Sequence, residues 1–237
     1  MKAYKYYDVV MAIFVAVLLL SNIASSAKII DWGVGLSGLR LSFDAGTLLF
    51  PVSYIFGDIL TEVYGYARAR RVIWVGFAAA ALMSVFFAIV QRMPGEAAWL
   101  GYAGDEAFQA ILGGVSSGGI IMASLAAYFL GEFSNSYILA KMKVLMQGRR
   151  LWMRTIGSTL VGQAIDTCAF ILLACVFGVF PWEIAMSLLI ANYLFKVGIE
   201  VLLTPATYRI VGFLKRAEQE DYYDRKTDFN PFHVTLE

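Results

Sequence analysis

Long apolar segments alternate with short polar connections along most of the chain. The apolar segments cover about residues 8–27, 45–65, 71–92, 117–141, 154–180 and 184–210, and a charged tail occupies residues 215–237. Because a helix needs about 20 mostly apolar residues to cross the hydrocarbon core of a bilayer, each segment is long enough to span a membrane. The pattern predicts an all-α polytopic integral membrane protein with six transmembrane helices, folded as one transmembrane domain over residues 1–237.

The second apolar segment differs from the others because it contains Pro51 and Gly57. A proline inside a helix removes a backbone hydrogen bond and clashes with the preceding turn, so we expect a helix that is kinked or broken at Pro51 or Gly57. The sequence leaves open whether this is an ordinary kink or a broken helix that exposes backbone groups to a ligand. We expect residues 93–116 to form a loop with a short amphipathic segment around 105–112. The sequence does not decide whether this loop acts as a lid.

Composition supports the membrane class and narrows the partners. Of the 237 residues, 59% are hydrophobic and 16% are charged, and the mean hydropathy of +0.68 is too high for a soluble domain. A nucleic-acid-binding protein needs a clustered basic face. Here the net charge is only +1 and the basic residues lie in short segments between the apolar ones, so we expect no nucleic-acid partner. Cys168, Cys175 and His233 form no known ligand spacing, and we therefore predict no metal and no cofactor.

The distribution of positive charge predicts the orientation of the chain. If the N-terminus is inside, most of the 19 Lys and Arg residues fall on the cytoplasmic side. The opposite side then carries Lys28, Arg40 and Arg92, and Lys196 lies within the last span. Since Lys and Arg accumulate in cytoplasmic loops, both termini are predicted to be cytoplasmic, with the lipid bilayer around the helices.

Four of the six apolar segments carry a pair of polar residues spaced three or four apart. The pairs are Asp58 with Glu62, Glu132 with Asn135, Gln163 with Asp166, and Lys196 with Glu200. Residues at this spacing share one face of a helix. Because a charge at the bilayer centre costs roughly 2.5–3.5 kcal/mol, these faces should turn toward the bundle interior and line a polar cavity.

Carboxylates and amides in such a cavity suit a ligand with hydrogen-bond donors and acceptors on one edge, such as an aminopurine-like ring. Glu132 and Asp166 lie nearest the middle of their segments, whereas Asp58 and Glu62 could instead form an ion-paired helix end with the nearby arginines. Lys196 could neutralise either Glu200 or Asp166. Aromatic residues that could stack on a ring lie near these positions: Phe43, Phe50, Tyr54, Phe133, Tyr137 and Phe170.

Several ordered motifs give the chain a strong resemblance to a known family. They are "SNIASSAK" (21–28), "FPVSYIFGDILTEVYGYARARR" (50–71), "GEFSNSYILAKMK" (131–143), "GSTLVGQAIDTCAF" (157–170), "NYLFKVGIEVLLTPATYRIVGFLKRAE" (192–218) and "DRKTDFNPF" (224–232). Over nearly the whole length, the sequence resembles the queuosine precursor transporter family, also called the vitamin uptake transporter family. The resemblance implies six spans in the cell inner membrane and import of a small-molecule deazaguanine: 7-cyano-7-deazaguanine, 7-aminomethyl-7-deazaguanine or queuine.

The resemblance also implies a set of substrate-binding residues. The family's polar positions fall on Asn22, Asp58, Glu62, Glu132, Asn135, Gln163, Asp166, Lys196 and Glu200. We expect Glu132 and Asp166 to bind the base edge, with Asn135 and Gln163 in support. Asn22 and Tyr54 should line the pocket, and Lys196 should adjust the charge of the carboxylates.

The sequence leaves the energy source open. It contains no phosphate-binding loop of the type that hydrolyses ATP, so the protein could be a facilitator or a proton-coupled carrier. As an alternative, it could be a vitamin-type substrate-binding subunit that works with a separate ATPase partner. An intramembrane hydrolase is disfavoured because no nucleophile has a histidine base beside it, so the protein is predicted not to be an enzyme. Small residues such as Gly157, Gly162 and Ala164 could support a homodimer.

Overall fold

A computed structural model describes residues 4–36, 39–116 and 118–233. Its helices are α1 (Tyr7–Ala27), α2 (Phe50–Tyr64), α3 (Tyr66–Val90), α4 (Ala97–Tyr102), α5 (Gly104–Ser116), α6 (Gly118–Leu145), α7 (Leu151–Val176) and α8 (Trp182–Glu218), and its strands are β1 (Ile29–Leu36) and β2 (Leu39–Asp44). A 3-10 helix covers Ala45–Leu48. The predicted all-helical membrane architecture is confirmed. The antiparallel β1–β2 hairpin was not predicted.

Within the described residues, five helical segments are long and apolar enough to cross a membrane. They are Tyr7–Ala27, Tyr66–Val90, Gly104–Leu145, Leu151–Val176 and Trp182–Glu218. Large apolar side chains such as Leu82, Phe86 and Leu202 are exposed on them, as expected for surfaces that face lipid. These five match five of the six predicted spans, and the remaining predicted span is the second.

The second predicted span is interrupted and shorter than expected. After the 3-10 helix, α2 starts at Phe50 and has 15 residues, which is below the roughly 17 residues of a short transmembrane helix. Pro51 lies in the first turn of α2, where its missing N–H would have no partner within the helix. The helix then continues through Gly57. The interruption therefore lies at Leu49, before Pro51. The sequence predicted it at Pro51 or Gly57.

The segment between α3 and α6 folds into two helices. The amphipathic run predicted around 105–112 lies inside α5, which packs against α1 and α3. Whether this segment acts as a lid stays a prediction.

Glycines allow α6 and α7 to pack closely in the centre of the bundle. A Cβ atom at Gly131 would lie 2.7 Å from the Asp166 Cβ atom, and one at Gly162 would lie 2.7 Å from the Asn135 Cβ atom. A Cβ atom at Gly157 would also meet α6, at Met142. Gly157 and Gly162, which the sequence analysis suggested for a homodimer contact, therefore pack against α6 of the same chain. The homodimer itself stays an untested prediction.

We expect Gly131→Ala to destabilise the protein by about 1–3 kcal/mol, because overpacking a tight contact forces side chains and backbone to shift. The added methyl group would meet the Tyr54 hydroxyl at 2.4 Å as well as α7. Thermal unfolding in detergent measures the effect. Gly198→Ala on α8 is the matched control, since nothing lies within 4 Å of its added Cβ atom. Equal melting temperatures for the two variants would contradict the close packing.

The first and last described segments of the chain lie at the same end of the bundle. The Tyr4 hydroxyl donates to Glu220 at 2.8 Å, and the backbone N–H groups of Lys5 and Tyr6 donate to Glu218 at 2.9 and 2.7 Å. We call this the terminal end of the bundle. The tail after α8 then crosses that end: the Tyr66 N–H donates to Asp224, and Trp74 Nε1 donates to the Pro231 carbonyl.

Asp221 ties the start of the tail to two helices. Its carboxylate lies 2.5 Å from Lys143 Nζ on α6 and 2.8 Å from Lys215 Nζ on α8. Burial alone would raise the pKa of Asp221, but the hydrogen bonds and charges of the two lysines outweigh it and hold this pKa below its usual value. The contribution of Asp221 to stability is therefore present above the usual aspartate pKa and is lost as the pH falls through the lowered pKa.

We expect Asp221→Asn to loosen the tail, because the variant keeps the side-chain shape but loses both ion pairs. At neutral pH, trypsin should cleave after Arg225 and Lys226 several-fold faster than in the parent protein, since cleavage tracks the population of the locally open form. Asp105→Asn, at an exposed position on α5, is the control. Unchanged cleavage would mean that the backbone contacts of the tail hold it without Asp221.

Candidate functional site

A cavity lies among α1, α2, α3, α5, α6, α7 and α8, between the bundle centre and the end opposite the termini. Its volume of about 90 Å³ is several times the roughly 10–15 Å³ that a single water needs on the same measure. Much of the lining is apolar. Five of the predicted site residues are among those that line it: Asn22, Tyr54, Glu132, Asp166 and Lys196.

Glu132 is the most unusual of the lining residues. Its side chain is fully buried, yet neither carboxyl oxygen has a hydrogen-bond partner within the described part of the chain. The neighbouring Tyr54 hydroxyl, Ser53 hydroxyl and Thr167 hydroxyl are buried and unpartnered in the same way. An unsatisfied buried polar group costs about 1–3 kcal/mol, and more if it is charged. Such a concentration beside a cavity is typical of a site that a polar ligand completes.

Lys196 and Asp166 form an ion pair in the cavity wall. Their Nζ and Oδ2 atoms are 2.7 Å apart, and the side chains are 8% and 14% exposed. Lys196 Nζ also lies 5.1 Å from the centre of the Phe50 ring, at cation–π distance. Of the two acidic partners that the sequence offered to Lys196, the structure pairs it with Asp166.

The structure adds polar residues that the sequence analysis missed. Ser25 donates to Asp44 Oδ1 at 2.5 Å, and Thr47 donates to Asp44 Oδ2 at 2.8 Å. The Thr47 hydroxyl also lies 3.0 Å from the side chain of Asn192. Asp44 caps the 3-10 helix by accepting from the Thr47 N–H. Asp is one of the residues preferred at a helix N-cap, so Asp44 is a signal that could have been found in the sequence.

The other predicted site residues lie outside the cavity lining, nearer the terminal end. Asn135 Nδ2 donates to Asp58 Oδ1 at 2.8 Å, and the Thr159 hydroxyl donates to Glu200. Gln163 is fully buried, and both of its side-chain polar atoms lack partners among the residues described. These side chains form a middle polar layer, one or more helical turns from the cavity-lining residues.

Glu62 lies beyond this layer, in a buried cluster of charges that we call the Glu62 cluster: Glu62, Lys143, Arg154 and Lys215. Arg154 donates to both Glu62 oxygens, Lys215 Nζ lies 2.6 Å from Oε1, and Lys143 Nζ lies 3.5 Å from the same oxygen. Glu62 is thus ion-paired, as the interpretation of an ion-paired helix end predicted, but with cations other than the nearby arginines, and Asp58 is in none of the ion pairs found among the described residues. Of the arginines just after α2, Arg68 instead lies over the Tyr4 ring, and Arg70 donates to the Asp228 carbonyl in the tail.

Some of the aromatic residues proposed for stacking line the cavity, and the others lie elsewhere. Phe50, Tyr54 and Phe170 line the cavity. Phe133 packs with Phe129 and Trp74, Phe43 stacks on Phe195, and Tyr137 contacts Phe229 in the tail.

Comparison with known proteins supports the resemblance found in the motifs. A family model described as "Putative vitamin uptake transporter" matches residues 44–210. A probable queuosine precursor transporter of Bacillus subtilis is 27% identical over 71% of each chain, and the queuosine precursor transporter of Escherichia coli is 26% identical over 80% of each. A probable queuosine precursor transporter of Haemophilus influenzae is 24% identical over 70% of this chain and 67% of its own. No solved structure matches.

Proposed function

The chain belongs to the family of putative vitamin uptake transporters, which are membrane transporters and not enzymes, and we propose that it imports queuosine precursors. The relatives named as queuosine precursor transporters support this cargo. The observation that carries the proposal is Glu132, a buried carboxyl beside the cavity whose two oxygens have no hydrogen-bond partner among the described residues. The alternative of a binding subunit with a separate ATPase partner is not favoured by these relatives.

The cavity chemistry suits a deazaguanine. The ring of every guanine-like base presents an N1–H and a 2-amino group side by side, and a carboxylate can accept both hydrogen bonds with its two oxygens. Glu132 would make this pair. The Tyr54 hydroxyl has no partner in the part of the chain that the structure describes and could donate to the adjacent ring carbonyl. Phe50 and Phe170 are the cavity-lining rings that could cover the faces of the base.

The structure divides the predicted binding residues into two groups. In our proposal, one group contacts the base or positions the side chains that contact it. This group contains Asn22, Tyr54, Glu132, Asp166 and Lys196. The side chains of the middle polar layer and the Glu62 cluster act from outside the cavity. Cargo candidates are 7-cyano-7-deazaguanine, 7-aminomethyl-7-deazaguanine and queuine.

The proposal includes six membrane crossings in the cell inner membrane, with both termini cytoplasmic. Because Tyr4 and Glu220 touch at one end of the bundle, the chain should cross the membrane an even number of times. Five long apolar helices make an odd number. The 3-10 helix and α2 together would supply the remaining crossing, and they are tolerated at membrane depth because α2 is buried in protein.

Thermal stabilisation of the purified protein tests the cargo. The panel contains the three deazaguanines, guanine, and vitamins such as riboflavin and biotin. A ligand that binds only the folded state stabilises it by about 2.7 kcal/mol at 100 times its Kd, so a deazaguanine should raise the melting temperature clearly. Stabilisation by a vitamin alone, with none by any deazaguanine, would overturn the proposed cargo.

A further inference from the structure

The charged side chains that line the cavity do not balance. Among the described residues of the lining, three are acidic, Asp44, Glu132 and Asp166, and one is basic, Lys196. Lys196 is bound to Asp166, which makes that pair neutral. Asp44 and Glu132 are in none of the ion pairs found in the described part of the chain. The cavity therefore has a formal excess of negative charge, which suits a positively charged cargo.

The contacts of Asp44 fix its carboxylate without neutralising it. The Ser25 hydroxyl, the Thr47 N–H and the Thr47 hydroxyl donate to its two oxygens, at 2.5, 3.1 and 2.8 Å. All three donors are uncharged. Because an ionised carboxylate has about four acceptor positions, three donors leave room for a further hydrogen bond. Asp44 is thus a fixed acceptor in the cavity wall that a cationic donor can complete.

Asp44 and Glu132 lie at different depths in the bundle. Asp44 precedes the 3-10 helix and is bound to Ser25 near the end of α1, so it lies toward the end opposite the termini. Glu132 is deeper, since a Cβ atom at Gly57 would lie 2.9 Å from its Oε2 atom. Gly57 is seven residues after the start of α2, which is about 10 Å along the helix axis. Tyr54, one turn before Gly57, lies between the two acidic residues along this axis.

This order of residues matches the order of groups around a 7-substituted deazaguanine. From the 2-amino group, the ring presents N1–H, then the 6-carbonyl, and then position 7 on the five-membered ring. In the proposed function, on which this inference rests, Glu132 accepts from the first two groups and Tyr54 donates to the carbonyl. The 7-substituent then points toward Asp44. We propose that Asp44 binds an ammonium group on this substituent and makes the protein selective for cationic deazaguanines.

The cargo candidates differ in what they offer to Asp44. The primary amine of 7-aminomethyl-7-deazaguanine is protonated at neutral pH, as the lysine side chain is, and it brings three N–H donors. Queuine carries a charged secondary amine at the same position. 7-Cyano-7-deazaguanine is uncharged, and its nitrile nitrogen only accepts hydrogen bonds. The inference therefore places the cyano compound last among the three.

Two ligands that differ in charge but hardly in size test this selectivity on the unmodified protein. 7-Hydroxymethyl-7-deazaguanine has a neutral hydroxyl in place of the ammonium of the aminomethyl compound. Because a hydrogen bond between two charged groups is much stronger than one with a neutral donor, the aminomethyl compound should bind roughly tenfold or more tightly. Calorimetry at neutral pH measures both affinities. Equal affinities would overturn the inference.

Asp44→Asn tests the residue, with the ratio of the two affinities as the readout. Asparagine is as good a helix N-cap as aspartate, so the 3-10 helix should be retained. The preference for the aminomethyl compound should fall to within about twofold, because the variant offers no charge to the ammonium. General damage to the site would weaken both ligands and leave the ratio unchanged.

Asp31→Asn is the matched control. Asp31 is exposed on β1, so this variant removes the same charge from the same hairpin, and it should keep the preference of the parent protein. A preference that survives in Asp44→Asn would overturn the role of Asp44. An equal loss of preference in Asp31→Asn would also overturn it, because the effect would then reflect the overall charge of the hairpin.

Failure of the cargo gives a different result from failure of the inference. If the aminomethyl, hydroxymethyl and cyano compounds all bind the parent protein without a preference for the aminomethyl compound, the proposed cargo stands and the ammonium subsite is refuted. If none of the three binds, the cargo is refuted and the selectivity with it.

Discussion

Replacing Glu132 by glutamine should weaken the binding of a deazaguanine by roughly 10- to 100-fold. Hydrogen bonds to charged groups contribute about 1.5–3 kcal/mol, and 1.4 kcal/mol corresponds to a factor of ten in affinity. Glutamine keeps one acceptor oxygen but turns the other into an NH₂ group, which would face a donor of the base. The same substitution should stabilise the empty protein, because it replaces a buried ionisable carboxyl, which has no partner among the described residues, by a neutral amide that costs less to bury.

Binding by calorimetry and thermal unfolding without ligand together check this pair of opposite effects. Glu106→Gln, at an exposed position on α5, is the control for the substitution and should change neither. A variant that lost affinity and stability together would indicate that Glu132 holds the fold and does not contact the base. Unchanged affinity would remove Glu132 from the binding site.

Replacing Glu62 by glutamine should cost about 3–5 kcal/mol of stability, because it leaves the buried Arg154 without its counter-charge and leaves Lys143 and Lys215 with Asp221 alone. The side chains of Glu62, Lys143 and Arg154 are each 1% exposed, so water cannot take over the role of the carboxylate. For a chain of this length, such a loss corresponds to a fall in melting temperature of about 6–20 °C.

A graded series of variants makes this expectation specific to the Glu62 cluster. Lys215 is 24% exposed, and Glu62 keeps two other cations without it, so Lys215→Gln should cost much less than Glu62→Gln. Melting temperatures in one detergent compare the two variants. If both lowered the melting temperature equally, the loss would reflect a local packing defect and the charge balance of the cluster would not matter.

The sequence was sufficient for the class of fold and for the residues that carry polar chemistry within the membrane. Apolar length predicts a spanning helix, and spacing of three or four places Glu132 with Asn135 on one face, because both follow from the geometry of a single helix. The interruption before Pro51 was less predictable. Its position depends on the Asp44 cap and on how the 3-10 helix contacts α1 and α8.

The choice of partners was decided only by the tertiary structure. Glu62 has basic residues close by in sequence, yet its carboxylate is bound by Arg154 and Lys215, which are 92 and 153 residues away. Glu132 resembles Glu62 in sequence, as an acid within an apolar helix, but beside the cavity its carboxyl has no partner among the residues described. Helical periodicity is a local property, so the spacing of residues along the sequence is enough to predict which of them share a helix face. Which faces meet depends on the rotation and depth of each helix in the bundle, which the packing of all the helices sets together.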